Sequence, residues 1–129
     1  MRTTHAAAIT AALLLALTAC GSEDDSKPAS PPPAYKVAEQ DTTGNVRNVT
    51  VEVESTKNLR AVFDDVIKDL DDEAGYHVLI NCSTGGTGTS DNRLANGKYA
   101  VGNMGAAATG LEEGASEFTT NEGRTCPAS

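Results

Sequence analysis

The chain has 129 residues, enough for one domain. It holds no tryptophan and only 4% aromatic residues, so Val, Ile, Leu and Ala must build any core. A formal net charge of -8 excludes long-range attraction to nucleic acid or to anionic lipid, and an acidic surface is an ordinary route to solubility.

The first element is an address. Met1 to His5 carries Arg2, and Ala6 to Leu17 is an unbroken apolar run apart from Thr10. A basic start, a short apolar stretch and small residues before a cut describe a secretory signal. The run is too short to span a bilayer, which takes about 20 apolar residues. Leu17-Thr18-Ala19-Cys20 closes it. This segment resembles the lipobox of bacterial lipoproteins at all four positions. The resemblance implies that residues 1–19 are a signal peptide removed by cleavage before Cys20. It further implies that the Cys20 thiol carries a diacylglyceryl group, and that this lipid holds the protein to the extracytoplasmic face of the cell membrane. Each buried acyl CH₂ is worth about 0.8 kcal/mol, and two chains make attachment stable. The wider layout resembles the small Ala/Thr/Gly-rich lipoproteins of high-GC Gram-positive (actinobacterial) bacteria. Loss of Arg2 with the signal takes the net charge to -9.

Residues 20–44 read as a tether. Ser, Asp, Pro and Lys dominate and apolar residues are sparse, so the segment lacks the surface to offset its ordering entropy. Pro31-Pro32-Pro33 favours polyproline II, an extended spacer. Fully drawn out, the tether reaches about 70 Å.

Residues 45–129 are expected to form a small α/β or α+β domain, one amphipathic helix packed on a sheet of three to five strands. Val49, Val51 and Val53 alternate with polar residues, the period of a half-buried strand. Leu59, Val62, Phe63, Val66, Ile67 and Leu70 form one helical stripe. Ser55 or Thr56 is placed to cap its start, and Gly75 to take the left-handed position beyond its end. Tyr76 to Cys82 is a second strand with Tyr76, Val78, Ile80 and Cys82 on one face. Strand, helix, strand in this order permits a parallel pair. Residues 82–97 read as a Gly/Ser/Thr-rich loop ending in an Asn96-Gly97 turn, and Lys98 to Asn103 as a third strand. Gly105 to Leu111 fits a short helix or a loop. Glu117–Thr120 and Arg124–Cys126 are expected to pair as a hairpin.

Of the three cysteines, the anchor accounts for Cys20. Cys82 and Cys126 then remain to bond each other in an oxidising compartment, stapling the domain.

No catalytic constellation is evident. Ser83 with His77 invites a hydrolase reading, yet nucleophilic catalysis needs a base in hydrogen-bond reach and a third group to orient it. The Gly85–Ser90 loop lacks a P-loop pattern and reads as surface. Asp64, Asp65, Asp69, Asp71, Asp72 and Glu73 read as a solvated helix face, because the Gly and Glu of a calcium loop are missing from their places. Two cysteines and one histidine beyond the signal do not make a zinc site, and no metal or cofactor is expected. The functional expectation is a membrane-anchored extracytoplasmic binding or interaction module. Its partner would be an envelope protein or a small ligand, not nucleic acid. The alternatives are a small cell-envelope hydrolase and a structural or inhibitory envelope protein.

Overall fold

A computed structural model describes residues 31–85 and 92–127. The expected signal peptide, the lipobox-like Leu17–Cys20 segment and residues 20–30 of the expected tether lie outside these residues, as does the Gly/Ser/Thr loop from residue 86 to 91.

Five strands form one mixed sheet in sequence order: β1 (Tyr35–Gln40), β2 (Val46–Val53), β3 (Gly75–Cys82), β4 (Arg93–Ala100) and β5 (Ser116–Thr120). Helix α1 (Leu59–Val66) joins β2 to β3, and helix α2 (Gly102–Thr109) joins β4 to β5. The β2–β3 pair is parallel, as a strand–helix–strand unit permits, and the other three pairs are antiparallel. The fold is α+β, with Cys82 and Cys126 bonded across a sequence separation of 44.

Alternation along β2 and β3 builds the core. Val49 faces Val78, Val51 faces Ile80 and Val53 faces Cys82, all fully or almost fully buried. Leu59, Val62, Phe63 and Val66 of α1 close over this surface. The helix ends sooner than its apolar stripe. After Val66 a single 3-10 turn (Ile67–Asp69) tightens the chain, and Leu70 is buried from an extended backbone.

Several expectations give way. Among the described residues the first strand begins at Tyr35, ten residues before the expected boundary at residue 45. Tyr35 pairs with Val53 and Val37 with Val51, so the end of the expected tether is an edge strand. Asp41 closes the β1–β2 hairpin by accepting bonds from the Asn48 backbone and side-chain N–H groups, which holds its carboxyl below the usual range. Neither Ser55 nor Thr56 caps α1. Ser55 Oγ accepts from the Lys57 N–H in a local turn, and Asn58, left-handed at φ 55, starts the helix.

Glycine roles also differ. Gly75 is the first residue of β3, not a helix terminator, and a Cβ there would lie 2.7 Å from Ala108 Cβ. It is small because α2 packs on it. Gly97 sits inside β4 instead of in a turn. A Cβ there would lie 2.2 Å from the Phe63 ring, so the ring occupies the space a side chain would need. The third strand therefore begins at Arg93, and α2 starts where it was expected to continue. The expected C-terminal hairpin is absent: β5 pairs with β4, and Arg124 to Cys126 is not a strand.

Candidate site on the open face of the sheet

Helix α1 covers one face of the sheet, and α2 packs against one end of the other. Gly105 makes that second contact possible, since a Cβ there would lie 2.4 Å from Ala74 O. Glu73 Oε1 accepts the Met104 N–H in the first turn of α2. Asp72 pairs with Arg47 at 2.6 Å. These two bonds account for acid placed just beyond a helix C-terminus, where it opposes the macrodipole.

Among the described residues nothing covers the rest of the second face. Strand register sets its side chains in three rows. The first runs Asn48, His77, Lys98, Glu117. The second runs Glu39, Thr50, Leu79, Asn96, Thr119. The third runs Lys36, Glu52, Asn81, Arg93. Successive rows are two residues apart along β2 and β3, about 6–7 Å, and three apart between Asn96 and Arg93 on β4, where the register shifts. His77, Leu79, Asn96, Lys98, Glu117 and Thr119 line a shallow depression of about 150 Å³.

A polar network fixes one end of this surface. Arg93 Nε donates to Asn81 Oδ1 at 2.7 Å, and Arg93 Nη1 to Asn96 Oδ1 at 2.9 Å. Asn96 Nδ2 donates to Asn121 Oδ1, and Asn121 Nδ2 returns to the Arg93 carbonyl. The guanidinium is thus held by two neutral oxygens. Burial pulls its pKa below the usual arginine value.

No family model, curated protein or solved structure matches this chain.

The structure separates the residues of the hydrolase reading. His77 lies mid-face on β3, and exposed Ser83 follows the strand's far end, its N–H bonded to the Val53 carbonyl. Six residues of extended chain put them on the order of 20 Å apart. That is far beyond the reach of proton transfer. The acidic run is likewise dispersed. Asp64 pairs with Arg60, Asp65 accepts from Tyr35 and Lys68, Asp72 serves Arg47 and Glu73 serves α2. Among the described residues no three His, Cys, Asp or Glu side chains converge as metal ligands would. The Cys82–Cys126 pairing is present, and Cys20 lies outside the described residues.

Sequence reasoning placed Asn96 in a turn and Arg93 in a loop, and so missed the network. The available signal was weak: polar Asn81, Arg93, Asn96 and Asn121 share no local spacing, and only strand pairing brings them together.

Proposed function

We propose that this protein is a lipid-anchored extracytoplasmic module that binds a partner through the open face of its sheet. The uncovered, polar and pre-organised rows on β2 to β5 carry this reading. An antiparallel or mixed sheet commonly leaves one face to solvent, so openness alone is ordinary. The Arg93 network distinguishes this face, because its side chains are locked before any ligand arrives. Such pre-ordering lowers the entropy lost on binding.

The anchor reading is supported by the lipobox Leu17-Thr18-Ala19-Cys20 behind its apolar run. The chain also enters the domain on the favourable side. Pro31 and Pro32 line a hollow with Arg60, Asp64 and Lys68 of the α1 side. Residues 31 and 32 thus lie on the covered side of the sheet, away from the open face.

Two measurements test the two halves. Cys20→Ala is expected to abolish lipid attachment, leaving the protein unprocessed or released from the membrane fraction. Normal cleavage and membrane retention of that variant would end the anchor reading. For the surface, a photocrosslinking amino acid is placed at Thr50 or Thr119 on the open face, and at Arg60 or Asp64 on α1. A discrete adduct in intact cells from the open-face positions alone is expected. Adducts from the α1 positions alone, or equally from both sides, would overturn the assignment.

A further inference from the structure

We infer that Arg93 anchors a carboxylate-binding strip on the open face, which takes an extended acidic peptide segment of a partner protein. This rests on the open face being the binding surface and names the chemistry it selects.

Charge is distributed unevenly in this acidic chain. On the α1 side, Arg47, Arg60 and Lys68 each form an ion pair with Asp72, Asp64 and Asp65. On the open face, Lys36, Arg93 and Lys98 form no ion pair among the described residues, although Glu52 and Glu117 stand opposite Lys36 and Lys98 in register. The two central strands of that face carry His77, Lys98 and Arg93, and the acids lie on the strands outside them. Two cations, Arg93 and Lys98, therefore stand on β4, with carboxylates on the strands to either side.

Arg93 is the distinctive member. A part-buried guanidinium usually sits against a carboxylate, because burying an unpaired charge is costly. Here its acceptors are the Asn81 and Asn96 side-chain oxygens. These orient the planar group and use two of its roughly five donors. The remaining N–H groups have no acceptor among the described residues. An oriented guanidinium with spare donors matches a carboxylate, which accepts two parallel N–H bonds.

Shape and spacing select a peptide over a small acid. The depression is shallow, whereas pockets for small ligands enclose most of their ligand's surface. Arg93 and Lys98 stand two rows apart, about 13 Å, the span of about four extended residues. Between them lies half-buried Leu79, an apolar contact for the ligand's aliphatic carbons. The net charge of the whole chain opposes an acidic partner at a distance, but screening confines that field to about 8 Å at physiological salt. Arg93 itself faces Asn81 of β3, so no carboxylate stands opposite it in register.

The test uses the mature chain in detergent and fluorescein-labelled pentaglutamate, with pentalysine as the opposite-charge probe. Saturable anisotropy change with pentaglutamate alone is expected, weakening as salt rises. Arg93→Gln should lower affinity about tenfold or more, because a charge-assisted contact is lost. Arg93→Lys should lower it too, since an ammonium lacks the planar fork. Lys98→Gln, outside the network, should lower it about threefold, and Arg60→Gln on the α1 side should leave it unchanged. Amide NMR shifts should map to Leu79, Asn81, Asn96 and Thr119. They also report whether Arg93→Gln keeps its fold; if it does not, Lys98→Gln against Arg60→Gln decides. No saturable binding, equal binding by Arg93→Gln or by pentalysine, or shifts on α1 would overturn the proposal. Full displacement by millimolar succinate would overturn the peptide as its source. Open-face photoadducts without pentaglutamate binding would sink this inference while sparing the open face as a binding surface. Loss of both would sink the two together.

Discussion

The two faces of one sheet use the same strands for opposite ends. On the α1 face, side chains are apolar and interlocked: Phe63 fills the space over Gly97 and meets Phe118 with ring centroids 5.2 Å apart. Even its cations are absorbed, Arg60 lying 5.8 Å over both rings while bonded to Asp64. On the open face most side chains are polar, and Asn81, Arg93, Asn96 and Asn121 are held by hydrogen bonds instead of by packing. The comparison teaches that apolar packing and polar exposure are divided between alternate positions of the same strands. A period of two makes this division possible.

The division predicts unequal effects of substitution. The largest is expected at the staple. Cys82→Ser with Cys126→Ser opens a loop of 44 residues and should cost about 4 kcal/mol by chain-entropy reasoning, measured as a fall in urea midpoint. An unchanged midpoint would show that the core alone holds the C-terminus. Next is Gly97→Val, which drives a branched side chain into the Phe63 ring and should cost about 3 kcal/mol or more. A well-tolerated valine would mean that α1 shifts freely, contrary to an interlocked face. Glu73→Ala removes the acceptor at the first turn of α2 and should cost about 1 kcal/mol, read from thermal melts.

Edge strand β1 offers a pH test. Tyr35 donates to Asp65 at 2.8 Å, and its pKa is raised from 10.0 to about 12, first by burial and then by that bond. The folded state holds this proton more tightly than the unfolded chain. The stabilisation is thus complete below pH 10 and fades as pH rises towards 12. Urea midpoints of the wild type should fall relative to Tyr35→Phe across that window and run parallel below it. Parallel curves up to pH 12 would mean that β1 does not dock through Tyr35. The smallest effects belong to the open face: Thr50→Ala and Thr119→Ala should change stability by no more than about 0.5 kcal/mol. A larger loss would show that this face carries structural weight.

Much of the frame was legible in the residues. The valines of β2, the stripe from Leu59 to Val66 and the alternation from Tyr76 to Cys82 each announce their element, and the parallel crossover follows from their order. Strand β1 was hidden because an edge strand has one neighbour and little to bury. YKVAEQ offers only Tyr35 and Val37 in alternation, after a polar, proline-rich stretch. Leu70 matched the helical stripe yet left the helix, because periodicity records which residues face the core and not the backbone that brings them there.

Local sequence by itself determined which side chains seek burial and which two cysteines remain to be joined. Pattern and hydrophobicity act over a few residues, so they can be read without knowing the fold. Tertiary structure alone decided what Gly97 is for, where Gly75 sits and which polar residues meet. Asn96-Gly97 reads as a turn until a phenylalanine from another element needs the volume. Arg93, Asn81, Asn96 and Asn121 become one network only when strands far apart in the chain are laid in register. Steric exclusion and cross-strand hydrogen bonding depend on neighbours in space, and those neighbours exist only once the chain has folded.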